Sequence, residues 1–241
     1  MMRRFATQKA GNDPTEYEDA AVVGVDIVAV ADGATEAYSS GLWAQVLVEH
    51  LTQLPIDYRP DPPAIFWRRI AAARAVWEAQ RPDPQRWHAK IKAAEGSAAA
   101  VALLVITRAD QQFQALAIGD VIIVQIRGGH RILAWPLDDP DAFGYTPPLV
   151  RTHGAQQPLI QDLQGTWQDG DRFLVMSDAL AAWALTCERA GQPIYETLLT
   201  LEDELSFAAF VTAARGAGMK NDDVTVVGYL TEARVPAREG G

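Results

Sequence analysis

Five aspartates stand where apolar segments of this 241-residue chain start or stop: Asp19 in EYEDA, Asp32 in VAVADGA, Asp120 in AIGDVII, Asp178 in LVMSDAL and Asp222 in KNDDVTVV. Strand ends on one edge of a sheet system can converge although they lie far apart in sequence. Carboxylates gathered there repel one another severely unless cations neutralise them. Hard oxygen ligands of this kind suit Mg²⁺ or Mn²⁺. Taken singly, each aspartate has an ordinary explanation. Asp32-Gly33 is a turn dipeptide, Asp178 is placed to cap a helix, Asp120 after Gly119 reads as a hairpin turn, and Asn221-Asp222-Asp223 reads as a polar connection ahead of a strand. Their joint order carries the signal.

Other chemistries find less support. The single cysteine, Cys187, excludes an internal disulfide framework and a multi-cysteine zinc site. Within LAAWALTCERA it reads as a packed thiol. The four histidines (His50, His88, His130, His153) lie outside every motif-like setting, and no G-x-S-x-G sequence occurs. A net charge of −10 argues against a nucleic-acid partner, which demands clustered Lys and Arg. An acidic protein that meets a phosphorylated substrate needs something to offset its own charge, and divalent cations do that. No stretch reaches the ~18 apolar residues of a membrane span. MMRRFATQKAG has no apolar segment behind its basic residues to make a signal peptide. The expectation is no membrane association and a cytoplasmic location.

The elements that must position these carboxylates follow from periodicity. Residues 20–31 (AAVVGVDIVAVA) predict two buried strands joined by a tight turn. Apolar residues recur at helical spacing from Ser39 to Leu54, and a second helix runs through IFWRRIAAARAVWEAQ, with a short one near Trp87–Ala94. From Gly96 the segments GSAAAVALLVIT, FQALAIG, VIIVQIR and RILAW predict an antiparallel meander. Residues 136–148 predict a long surface loop whose acidic residues Asp138, Asp139 and Asp141 are solvated. DRFLVMS is a strand, DALAAWALTCERA a helix, 193–217 one or two helices, and DVTVVGYL the last strand. The pattern predicts one α+β layered domain over 1–231 and a frayed tail over 232–241.

The order of the short motifs resembles the PP2C family of Ser/Thr protein phosphatases from near Glu18 to near Thr225. Glu18-Asp19-Ala20 resembles its N-terminal Glu-Asp element, Asp32-Gly33 the start of its Asp-Gly-x-Gly-Gly motif, and Gly96-Ser97-Ala98-Ala99 its Gly-Ser/Thr-x-Ala strand. Gly119-Asp120 resembles its Gly-Asp turn, Ser177-Asp178 its Ser-Asp-Gly motif, and Asp222-Asp223-Val224-Thr225 its C-terminal Asp-Asn/Asp-x-Thr. The resemblance implies a four-layer α-β-β-α sandwich of two mainly antiparallel sheets, with two Mg²⁺ or Mn²⁺ ions at one end. It implies that Asp32 bridges both ions, that the Gly33 carbonyl binds the second, and that Asp178 and Asp222 complete the first. Glu18 and Asp19 then hold metal-bound waters, and Asp120 anchors a third, weaker ion. The implied reaction is hydrolysis of phosphoserine or phosphothreonine in a protein substrate by a metal-activated water, opposite a cognate kinase.

The chain departs from the family pattern around this core. DGATE replaces Asp-Gly-x-Gly-Gly, and Ala179 follows Ser177-Asp178 where the family has Gly. TEYEDA lacks the phosphate-gripping Arg that many members carry before the Glu-Asp element. Lys9 is the candidate substitute, provided the N-terminal segment folds back over the site; Arg3 and Arg4 read as a solvated basic terminus. These departures motivate an alternative reading, a regulatory or binding module of the same fold with weak catalysis.

Overall fold

Strands such as IVAVADG and RFLVM are apolar at nearly every position, and a strand of that kind needs cover on both faces. The computed structural model supplies it; residues 2–53, 60–144, 146–154 and 157–232 are described. In chain order the strands are β1 (Met2–Thr7), β2 (Ala20–Val23), β3 (Ile27–Gly33), β4 (Ala98–Thr107), β5 (Gln112–Ile118), β6 (Ile122–Arg127), β7 (His130–Trp135), β8 (Val150–Arg151), β9 (Gln161–Thr166), β10 (Arg172–Met176) and β11 (Val224–Leu230). The helices are α1 (Ser40–Thr52), α2 (Pro62–Gln80), α3 (Trp87–Glu95), α4 (Asp178–Arg189), α5 (Ile194–Thr200) and α6 (Glu204–Gly216).

Two antiparallel sheets result. The first runs β1-β11-β10-β6-β7 and the second β2-β3-β4-β5-β9, with β8 beside β4. Alternation sorts the side chains into three apolar layers. Val28, Val30, Ala102, Leu104, Ile123, Phe173, Val175 and Val227 meet between the sheets. Ala29, Ala31, Val101 and Leu103 face outward against Trp43, Leu47 and Leu51 of α1 and Phe66, Ile70 and Trp77 of α2. Val124, Leu174, Met176 and Val226 face the other way, against Leu180 and Ala184 of α4, Leu198 of α5 and Phe207 and Val211 of α6. The architecture is the expected α-β-β-α sandwich.

Three expectations need correction. GSAAAVALLVIT through RILAW does not form one meander: β4 and β5 lie in one sheet and β6 and β7 in the other. Gly119-Asp120 is therefore not a hairpin turn but the point where the chain crosses between sheets. The basic N-terminus is a strand, pairing residue for residue with β11 from Met2↔Tyr229 to Thr7↔Val224. Arg3 and Arg4 donate to the carbonyls of Leu201 and Ala21 instead of to water alone. The Asp139 and Asp141 carboxylates are exposed, as expected, and pair at the surface with Arg189 of α4. Leu54, the adjoining residues 55–59, Tyr145 within the 136–148 loop and the tail from 233 on lie outside the described residues. No helix among those described is long and apolar enough to cross a membrane.

Candidate metal centre

Hairpin register brings the first two aspartates together. Ala20 pairs with Ala31, so Asp19, one residue before β2, stands beside Asp32 near the end of β3. Gly33 follows, pressed so closely on its neighbours that a Cβ there would lie 2.7 Å from the Glu18 carbonyl oxygen and 2.9 Å from the Ser40 backbone. Only a glycine allows β3 to run this close to the Glu18 segment and the start of α1.

The second sheet contributes Asp178 and Asp222. β10 and β11 pair up to Met176↔Val226. Beyond that point the Ser177 N–H donates to the Thr225 carbonyl, and the Ser177 hydroxyl accepts from the Thr225 N–H. Asp178 then opens α4. It does not cap the helix: Ser177 holds the cap position, with no side-chain bond to the helix. Asp120 enters at the crossing between sheets, where Gly119 adopts φ +101° and a Cβ would lie 2.5 Å from that of Ala100.

Electrostatics register the convergence. Burial raises the Asp32 carboxyl well above the ordinary carboxylate range, and Asp19, Asp178, Asp120 and Asp222 each push it further. Asp120 is pushed up to about 6 by burial and by Asp178. Burial likewise takes Asp19 up to about 8; the nearby Thr225 and Ser177 hydroxyls temper this, while Asp223 and Asp178 add to it. Those hydroxyls do not reach hydrogen-bond geometry, and both carboxylate oxygens of Asp19, 5% exposed, lack a hydrogen-bond partner among the described residues. A buried carboxyl in that condition carries a large desolvation penalty. Its donor chemistry fits a hard divalent cation, as does the ring of aspartates around it.

The ring is not closed as it stands. Among the described residues, no group of three or more His, Cys, Asp and Glu side chains is set to hold a metal ion. Between Asp178 and Asp222 the Lys220 ammonium lies 2.8 Å from one carboxylate and 2.7 Å from the other.

Glu18 and Lys9 take different places. The Glu18 carboxylate accepts from the Ser40 hydroxyl, and burial raises its pKa. Lys9 is brought to the same rim, because its backbone N–H donates to Asp223 at 2.7 Å. Sequence reasoning missed the residues that organise the ring. Asp223 clamps both Lys9 and Glu18 through their backbone N–H groups. Arg215 of α6 holds the Asp222 carbonyl at 2.6 Å and the Gln8 carbonyl at 3.0 Å. Tyr17 bonds Thr225 through their hydroxyls. A signal for Asp223 was available in the doubled Asp of KNDDVT; Lys220 and Arg215 had none. Cys187 is buried, as its apolar helix predicted.

A sequence profile described as protein phosphatase 2C matches residues 15–220. No curated protein matches the chain. Among solved structures the chain is similar to the Mycobacterium tuberculosis serine/threonine phosphatase PstP/Ppp, at 19% identity and TM-score 0.65, covering 96% of this chain and 99% of that one. It is similar to the catalytic domain of the serine/threonine protein phosphatase PstP in complex with two manganese ions, at 20% identity and TM-score 0.63, over 96% and 99%. It is also similar to PppA, described as a key regulatory component of the T6SS in Pseudomonas aeruginosa, at 18% identity and TM-score 0.63, over 96% and 97%. At these identities the likeness establishes the fold; the profile match, over most of the length, establishes that the chain belongs to the protein phosphatase 2C family.

Proposed function

We propose that the chain, acting as one domain over residues 1–231, is a Mg²⁺- or Mn²⁺-dependent phosphatase for phosphoserine and phosphothreonine in proteins, working opposite a cognate kinase. The observation that carries this reading is Asp19: a buried carboxyl with two unpartnered oxygens, set beside Asp32 in a ring of like charges. Asp32, Asp178, Asp222 and the Gly33 carbonyl would hold two ions, with Glu18 and Asp19 positioning water and Asp120 available to a weaker third. Bound divalent ions supply charge that neutralises phosphoryl oxygens and lowers the pKa of water.

The chain's own residues do the rest. Ser40 fixes the Glu18 carboxylate, and Asp223 fixes the backbone that carries Glu18. Gly33 permits the close approach of Glu18 to the end of β3. Lys9, on the segment that Asp223 clamps, is the proposed phosphate-binding cation. Neither Cys187, buried in the α4 layer, nor any serine is required as a nucleophile.

Hydrolysis of a phosphothreonine peptide tests the reading, measured with and without Mn²⁺ for the wild type and Asp32→Asn. Manganese-dependent turnover that Asp32→Asn abolishes is expected. Equal rates in the two proteins, or turnover indifferent to Mn²⁺, would refute it. One observation favours the second reading, a binding module with weak catalysis: the Lys220 ammonium that spans Asp178 and Asp222. Manganese binding with no turnover of any phosphopeptide would select it.

A further inference from the structure

Lys220 approaches the carboxylate ring from outside. It lies on the loop between α6, which ends at Gly216, and β11, which starts at Val224, two residues ahead of Asp222. Its side chain is 55% exposed, whereas those of Asp178 and Asp222 are 17% and 24% exposed. The ammonium therefore reaches inward to two less exposed carboxylates on a side chain that is about half in water. Such a side chain can leave by rotating about its own bonds.

The two carboxylates it joins come from different elements, the first turn of α4 and the approach to β11. Without a cation between them they would face each other across the end of the sheet, with Asp32 and Asp120 adding to the repulsion. Arg215 is another cation of this region. Its guanidinium binds the carbonyls of Gln8 and Asp222 and so shapes the loop instead of neutralising the ring.

We propose that Lys220 is a resident cation of the carboxylate ring: its ammonium holds Asp178 and Asp222 together in the metal-free protein, and a divalent cation enters by displacing it. This rests on the metal-centre reading above and adds regulation of that site. Lys220 lowers the apparent affinity for the ion at Asp178 and Asp222, because each binding event must first break two ion pairs. It also keeps the ring assembled before metal arrives. The lysine thus sets a threshold of metal concentration for activation.

Two measurements on the full chain test this, neither of them relying on turnover. The first is calorimetric titration with Mn²⁺ of the wild type and Lys220→Met, with thermal unfolding followed in parallel. Two half-exposed ion pairs correspond to an expected gain of about three- to tenfold in Mn²⁺ affinity for Lys220→Met. The metal-free variant should unfold at a lower temperature than the metal-free wild type, and the gap should close at saturating Mn²⁺. Unchanged or weaker binding by Lys220→Met overturns the inference while leaving the metal centre standing. Absence of Mn²⁺ binding in both proteins overturns the metal centre and the inference with it.

The second measurement keeps the native sequence, so it holds if the variant folds poorly. Acylation of lysines by a water-soluble ester, read peptide by peptide by mass spectrometry at fixed ionic strength, should label Lys220 slowly in the metal-free protein. Added Mn²⁺ should speed that labelling relative to Lys90 of α3. A Lys220 rate indifferent to Mn²⁺ in protein that binds the ion overturns the proposal.

Discussion

The Asp223 carboxylate accepts the backbone N–H of Glu18 at 2.6 Å, joining the start of the last strand to the residue before Asp19. Its other oxygen accepts the Lys9 N–H at 2.7 Å, so one buried side chain positions two stretches of the N-terminal segment. This residue thereby links the expected ligands of the two sheets.

Asp223→Ala should therefore lower stability by roughly 2–4 kcal/mol, since two charge-assisted hydrogen bonds are lost and their donors are left short of a partner. Asp223→Asn keeps an acceptor oxygen and should lose about half as much. Urea unfolding monitored by circular dichroism gives both values. A variant with unchanged midpoint would show that the clamp is dispensable.

Asp19→Asn should separate function from stability. The native carboxyl is buried without a partner beside Asp32, and a neutral amide relieves both its desolvation and the like-charge repulsion. The metal-free variant is expected to match the wild type or exceed it by roughly 1–3 kcal/mol, while Mn²⁺-dependent phosphopeptide hydrolysis falls by about 100-fold or more, the loss expected when a group in a preorganised charged site is neutralised. Thermal unfolding in the presence of a chelator, alongside initial rates with Mn²⁺, checks the pair of outcomes.

Gly119→Ala should destabilise the crossing between the sheets. A side chain there meets Ala100 at 2.5 Å and must adopt a left-handed backbone conformation. A loss of about 2–3 kcal/mol is expected from strain and overlap together. Because Asp120 is the next residue, weaker occupancy of any third ion should accompany the loss, measurable as a Mn²⁺ titration with one fewer low-affinity event.

At the far end of the sandwich, Asp171 supplies a pH dependence independent of metal. Its buried carboxylate takes the Arg127 guanidinium at 2.7 Å through both oxygens, with further bonds from Gln125 and the Gln168 N–H. Burial alone would raise its pKa, but these partners together hold it below the ordinary value of 3.8. A depressed carboxylate pKa stabilises the fold above the unfolded value, and that stability is lost as the pH falls through the folded value. Asp171→Asn should cost about 1–3 kcal/mol at pH 7, discounted for the partial exposure of Arg127. The difference from wild type should shrink only below about pH 4. Melting temperatures of both proteins from pH 7 to pH 3 test this.

How much of this was legible in the sequence depended on whether the signal was local. IVAVADG and RFLVM announced buried strands because nearly every position is apolar, and the aspartates that close such runs stood out against them. MRRFAT did not: an edge strand with Arg3 and Arg4 on its opposite faces looks like a charged terminus until β11 pairs with it. QDLQGT of β9 hid for the same reason, alternating between half-buried and exposed positions. The sheet change at Gly119-Asp120 was unreadable, since a three-residue connection has the same composition whether it returns to its own sheet or passes to another. Asp178 looked like a helix cap because short-range geometry allows it, but Lys220, 42 residues away, holds it. Lys220 itself is one lysine in a polar loop, and only the folded chain gives it two partners.

The pairing of β1 with β11 has a consequence in time. The carboxylate ring draws on Glu18 and Asp19 near one terminus and on Asp222 and Asp223 more than 200 residues later. On the ribosome the intervening strands and helices emerge and collapse first. The ring can assemble only when β11 slots between β10 and β1. Until β11 is released, a nascent chain carries Asp32 and Asp178 in separate halves of an unfinished sandwich, and the carboxylate ring stays unassembled.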